Sequence, residues 1–211
     1  MSQSSKPCAW AAVVAAAVVL DGLNTPLVED ALFWWVPQGL LASERGPMWV
    51  LDRLPQAVLP HDPLPPQWAD GLPDYGHPPL WYWALGLAFV VMGPSHHAVH
   101  VLALPLAMMM AWGYARVLQE LGGPRAAWAA MVLPLIPPVA AQLQNADTDL
   151  PLMALTPWAL LGVLRRQEGL FAVCAVLATA CKEPGVLLMV PALASNLADR
   201  RLGWGWLWPR S

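Results

Sequence analysis

AVHVLALPLAMMMAWGYARVL, residues Ala98–Leu118, is the stretch on which the fold turns. Its one fully charged side chain, Arg116, stands at the very end of the run. Crossing the hydrocarbon core of a bilayer takes about 20 predominantly apolar residues, and this run supplies them. Ala126–Leu143 qualifies in the same way. Working outward, further apolar runs cover Pro7–Gly22, Leu150–Leu164, Leu170–Cys181 and Gly185–Ala198. Leu80–Met92 is shorter, preceded by Pro78-Pro79 and followed by Gly93-Pro94, and reads as a re-entrant or interfacial helix. The expected fold is therefore all-α: a polytopic transmembrane helix bundle of about six spans plus the helix at 80–92, in one membrane domain covering residues 1–211.

Composition agrees. Of the 211 residues 57% are hydrophobic and 12% charged, with mean hydropathy +0.47, whereas soluble domains carry about 25% charged residues. The net charge of −3 comes without a basic block, so nucleic acid is not an expected partner. Thirteen Trp stand against three Phe and three Tyr, and many close an apolar run (Trp10, Trp81, Trp128, Trp158, Trp204, Trp206, Trp208). There an indole buries its ring and keeps its N–H wet. Cys8, Cys174 and Cys181 are odd in number and sit in apolar context, so they read as small hydrophobes. Lys6 followed by Ala9–Leu20 has the outline of a signal peptide. An uncleaved first helix is the preferred reading, because the segment after it carries its own polar motifs.

Lys and Arg favour the cytoplasmic side. If Leu80–Met92 does not cross, the basic groups Lys6, Arg116/Arg125, Arg165-Arg166 and Arg200-Arg201 all fall on one side. If it does cross, Lys6 is left alone on the opposite side. The first solution is preferred. It places Glu29-Asp30, the loop at 24–79, Asp147-Thr148-Asp149 and Lys182-Glu183 together on the extracytoplasmic face. Within that loop Ala31–Ala42 reads as an interfacial amphipathic helix, and the Pro-rich Leu54–Pro66 as a non-helical cover.

Four polar constellations carry candidate chemistry, each with a plainer reading beside it. Glu29-Asp30 at the outer end of the first helix either solvates that end or places a carboxylate to accept a proton from a hydroxyl or to hold a divalent cation. Asp149 is positioned to cap the next helix, with Pro151 in its first turn, but capping uses one Asp where the sequence has two. His77, before Pro78-Pro79, is held extended at a helix mouth, either solvated or donating to a phosphate or sugar hydroxyl. Lys182-Glu183 is either a solvated pair or the source of a point charge for a phosphate. His96, His97 and His100 lack metal-ligand partners and read as surface residues. Phosphate-loop, dinucleotide, nucleophile-elbow and zinc-protease motifs are absent from the sequence.

Taken in order, Val28-Glu29-Asp30-Ala31, Gly76-His77-Pro78-Pro79-Leu80-Trp81-Tyr82-Trp83, Thr148-Asp149-Leu150-Pro151-Leu152 and Cys181-Lys182-Glu183-Pro184 resemble the membrane glycosyltransferases of the GT-C fold. They resemble in particular the bacterial dolichyl-phosphate-mannose-protein mannosyltransferase-like and aminoarabinose-transferase-like branch. The resemblance runs from about Leu20 to Ala198 and is carried by the order and spacing of motifs that are weak singly. It implies a glycosyltransferase that takes a sugar from a polyprenyl-phosphate carrier to an acceptor hydroxyl of a lipid, glycan or protein. The implied location is the extracytoplasmic face of a bacterial inner membrane. It further implies Asp30, with Glu29 beside it, and Asp149 as catalytic carboxylates and candidate ligands of a divalent cation. His77 and Lys182 are implied at the donor phosphate. The chain has Glu-Asp where many relatives have Asp-Glu, and those relatives usually run to more than twice its length. The competing expectation is thus a truncated or non-catalytic membrane subunit that binds a lipid carrier or a second membrane chain.

Overall fold

The computed structural model describes residues 5–24, 36–45, 78, 80–145 and 148–198, and every element among them is helical. The α-helices are α1 (Lys6–Asp21), α2 (Val36–Arg45), α3 (Leu80–Met92), α4 (His96–Ala126), α5 (Pro137–Asn145), α6 (Asp149–Leu164), α7 (Glu168–Cys181) and α8 (Met189–Ala198). Short 3₁₀ turns at Gly22–Asn24, Ala127–Met131, Leu133–Leu135 and Glu183–Leu188 link them.

Helix α4 is the central element. Ser95 caps it, its side chain accepting from the Ala98 amide at 3.2 Å. Its far end is broken at Gly123, whose φ of 77° and ψ of −177° lie where a side chain is not tolerated, with Pro124 following. Antiparallel to α4 runs α1: Asp21 lies beside α5, near the start of α4, whereas Cys8 faces Arg116 near its end. Parallel to α4 runs α6. Trp158 Nε1 donates to the Met109 carbonyl at 3.0 Å, and about two turns further along α6 Arg165 Nε donates to Glu120 at 2.8 Å. Helix α7 returns antiparallel to α6, with Gly162 against the Phe171 backbone at one end and Lys182 against Asp149 at the other. Helices α2 and α3 form a close pair in which Gly86 abuts Ala42 and the Gly39 carbonyl, each 3.1 Å from where its Cβ would stand.

Small residues set these approaches. The central core holds Ala11 and Ala15 of α1, Ala103, Ala107, Ala111 and Ala115 of α4, and Ala154 of α6, with Leu85, Met110, Leu143 and Leu150 filling the gaps. Small side chains at helix contacts let backbones close up and gain dispersion contacts without needing water to be expelled. The outward faces are apolar too. Leu87, Val90 and Val91 on α3, Val173 and Val176 on α7, and Leu187, Val190 and Leu193 beyond it are all exposed. A water-facing surface rarely carries patches of this kind.

One helical run among the described residues, His96–Leu135, kinked at Gly123, has the length and hydropathy to cross a bilayer. The other apolar helices, at Leu80–Met92, Asp149–Leu164, Glu168–Cys181 and Glu183–Ser195, are shorter. The expected six full spans are therefore represented by one long helix and several short apolar ones. Ala126–Leu143, expected as an unbroken span, is interrupted. Pro134 opens a 3₁₀ turn, Ile136 is extended at φ −68° and ψ 124°, and Pro137-Pro138 restart the helix. Each proline removes a backbone donor and blocks the preceding turn. Of the interfacial helix expected at Ala31–Ala42, residues 36–42 fall within the helix α2; residues 31–35 and the cover at Leu54–Pro66 lie outside the described residues.

Among the described charged residues of α1 and of the segment from α4 to Glu183, the two ends of the bundle differ in sign. Lys6, Arg116, Arg125, Arg165 and Arg166 gather at one end with Glu120 and Glu168. Asp21, Asp149, Lys182 and Glu183 lie at the other, together with His96, His97, His100 and Gln144.

Candidate functional site

The less basic end holds the polar side chains that sequence reasoning singled out, so far as they are described. Asp149 is the first residue of α6, where a negative charge meets the positive end of the helix dipole. Lys182 immediately follows the last residue of α7, where a positive charge meets the negative end. The antiparallel α6–α7 hairpin brings these two helix ends together. The Lys182 ammonium donates directly to Asp149 Oδ1, across 33 positions of sequence. Exposure of the pair is partial: 18% of the Lys182 side chain and 36% of the Asp149 side chain. Such a pair can still be reached by a ligand while its stems are packed.

The backbone around Lys182 is fixed tightly. Its amide donates to the Ala178 carbonyl and its own carbonyl accepts from the Gly185 amide, both at 3.0 Å. Gly185 packs onto the last turn of α7 so closely that a Cβ there would stand 2.4 Å from the Ala178 carbonyl carbon and the Thr179 nitrogen. Cys181, one residue before Lys182, is a buried free thiol, as are Cys8 and Cys174, matching their reading as hydrophobes.

Two expectations change here. Asp149 is not the cap of α6: Thr148 holds the N-cap position, without a side-chain capping bond, and the Asp149 carboxylate turns instead to Lys182. The reason is competition, since an ammonium within direct reach outbids a neutral amide for a carboxylate. His100 is not a surface residue: it is 1% exposed, while His96 and His97 in the first turn of α4 are exposed as expected.

A second polar group stands at the same end. His100 Nε2 lies 2.7 Å from the Gln144 carbonyl and Nδ1 lies 2.8 Å from the His96 carbonyl. The Gln144 side-chain amide donates to Asp21 Oδ2 at 3.2 Å. Gly22 meets Gln144 directly, with a Cβ there only 3.0 Å from Gln144 Cα and Cβ. Sequence reasoning missed Asp21 and Gln144. The available signal was the polar run Gln142–Asn145 closing an apolar stretch, which reads as an ordinary helix end until its partners are seen.

Glu29, Asp30, His77 and Asp147 lie outside the described residues. Among the described residues no group of three His, Cys, Asp or Glu side chains is placed to hold a metal ion, and Asp149 is accompanied there by a lysine. The described arrangement can thus present a cation, held by a carboxylate and two helix termini, to an anionic group arriving at this end.

Comparison with curated proteins and with solved structures yields no match. A family model for dolichyl-phosphate-mannose-protein mannosyltransferase matches residues 76–207, which is more than half of the chain and includes His77, Asp149 and Lys182 but not Asp30. The motifs that suggested a GT-C glycosyltransferase lie largely inside that match, and the chain belongs to the dolichyl-phosphate-mannose-protein mannosyltransferase family.

Proposed function

We propose that this chain takes part in moving a sugar from a polyprenyl-phosphate carrier to an acceptor hydroxyl at the extracytoplasmic surface of a bacterial inner membrane. The observation that carries the reading is the Asp149–Lys182 pair, seated at the end of the bundle opposite the basic cluster. The basic cluster marks the cytoplasmic end by the preference of Lys and Arg for that side. The apolar outward faces suit contact with lipid, and α3, about 20 Å long at 1.5 Å per residue, suits an interfacial position beside α2.

In this reading the acceptor O–H gives its proton to a carboxylate, assigned to Asp30. Its oxygen forms a bond to the anomeric carbon as the bond from that carbon to the carrier phosphate breaks. The phosphate leaves with the electron pair, and Lys182, with His77, meets the charge that develops on it. Asp149 keeps the ammonium in place before the donor arrives, so little reorganisation is needed during the reaction.

The test is transfer from a polyprenyl-phosphate sugar in membranes containing Lys182→Met or Asp30→Asn. Removing one preorganised charge of this kind costs about 100-fold or more in rate. Full activity in both variants would overturn the reading.

A further inference from the structure

We infer that the groove between α4, α6 and α8, at the basic end of the bundle, is a site for one anionic phospholipid, with its acyl chain on the apolar walls and its phosphate at Arg166. That this lipid belongs to the cytoplasmic leaflet rests on the orientation used in the transferase reading; the site itself does not.

The groove encloses about 390 Å³, within the range of about 300–1,000 Å³ found for ligand sites. Its walls are pairs of residues one helical turn apart. Helix α4 supplies Val117 and Leu121, α6 supplies Leu160 and Leu164, and α8 supplies Pro191 and Ser195. Ser195 is the one hydroxyl among them. Leu188, just before α8, and Ala192 within it are buried in one cluster with Ala159 of α6 and Phe171 and Ala178 of α7. That packing fixes α8 in place, so the groove is part of the fold. Leu121 and Leu164 are exposed, and the groove opens onto the apolar outer surface.

A cation closes one end of it. Arg166 follows α6 and lines the same cavity. The helix ends there in a Schellman turn, with the Arg166 amide donating to the Val163 carbonyl at 3.1 Å and the Gln167 amide to the Gly162 carbonyl at 2.8 Å. This turn needs a left-handed residue at the position Arg166 occupies, and glycine is the usual choice. Among the described non-glycine residues Arg166 alone has a positive φ, of 57°. Strained positions of this kind cluster at functional sites, and here the strained residue carries the charge at the groove. Its neighbour Arg165 is engaged with Glu120 of α4. A guanidinium fork matches two phosphate oxygens at once, and the Ser195 hydroxyl can donate to a third. Basic pockets between membrane helices on the cytoplasmic side take anionic headgroups. A zwitterionic lipid brings its own cation beside the phosphate and gains less from Arg166.

The test uses the full chain in detergent, titrated with phosphatidylglycerol or with phosphatidylcholine of the same acyl chains, and counts retained lipid by native mass spectrometry. Wild type should hold one phosphatidylglycerol about 5-fold or more tightly than phosphatidylcholine, the preference that one arginine near a membrane surface provides. Arg166→Gly should lose that preference with its thermal unfolding unchanged or raised, because glycine relaxes the left-handed backbone. Arg166→Lys, which keeps both the strain and a cation, should retain most of it. Leu160→Trp, which fills the groove, should weaken both lipids alike; where it does not fold, the Arg166 variants carry the test. Equal retention of the two lipids by wild type, or an unchanged preference in Arg166→Gly, overturns the site. So does displacement of phosphatidylglycerol by an equimolar polyprenyl monophosphate, which would assign the groove to the sugar carrier. Selective retention by a wild type that transfers no sugar supports the site and counts against the transferase reading alone; transfer without lipid preference does the reverse.

Discussion

Gly185→Ala is the most direct way to ask whether Lys182 owes its place to the packing beneath it. The added Cβ would stand 2.4 Å from the Ala178 carbonyl carbon, 2.4 Å from the Thr179 nitrogen and 2.7 Å from the Ala178 carbonyl oxygen. Ordinary contact begins at 3.4 Å, so the segment Glu183–Leu188 must lift from α7 by about 1 Å. All three atoms are helix backbone, and no flexible side chain is available to yield. Overpacking of this kind costs about 1–3 kcal/mol. Gly169→Ala is the matched control: it lies in the first turn of the same helix, and nothing stands within 4 Å of its Cβ. There the substitution should stabilise by about 0.5–1 kcal/mol through helix propensity. The gap between the two variants is then about 1.5–4 kcal/mol, readable as the difference in unfolding free energy in detergent followed by tryptophan fluorescence. Because the Gly185 amide donates to the Lys182 carbonyl, the displaced segment carries Lys182 with it, and transfer should fall in Gly185→Ala alone. Equal stability of the two alanine variants, or undiminished transfer in Gly185→Ala, would refute this account of the site.

Two further outcomes follow from named contacts. Asp149→Asn, Lys182→Met and their combination should be non-additive in unfolding free energy, with a coupling of about 0.5–3 kcal/mol, because each residue is the other's charged partner; additivity within error would show the pair to be energetically idle. Trp158→Phe should cost about 0.5–1.5 kcal/mol by removing the 3.0 Å bond from its indole to the Met109 carbonyl, which ties α6 to the middle of α4. A melting curve identical to wild type would place that stabilisation elsewhere.

Local cues in the sequence served well where one helix determines its own limits. Leu80–Met92 begins and ends where Pro79 and Gly93 predict, and Leu164 closes α6 before Arg165-Arg166. They served poorly at Ala126–Leu143, where hydropathy outweighed three prolines in the reading and the backbone obeyed the prolines. At the site, Asp149 and Lys182 were each legible as charges closing apolar runs. Their pairing was not, because it depends on the length and tilt of the α6–α7 hairpin and not on any local pattern. His100 was misread for the same reason: a histidine inside an apolar helix has no visible partner until α5 folds back to offer the Gln144 carbonyl. Glu29, Asp30 and His77 remain assigned by sequence resemblance and lie outside the described residues.

The separation of charge between the two ends of the bundle makes the folded protein an oriented electrical object. Among the described charged residues of α1 and of the segment from α4 to Glu183, five basic and two acidic side chains at one end leave an excess of three positive charges. In a membrane with a negative interior, turning the bundle over would carry that excess against the potential at about 2.3 kcal/mol per charge per 100 mV, or about 7 kcal/mol for all three. The same arginines that anchor the helix ends would thus act as a lock on orientation, and the lock would be strongest in a cell whose membrane is fully energised.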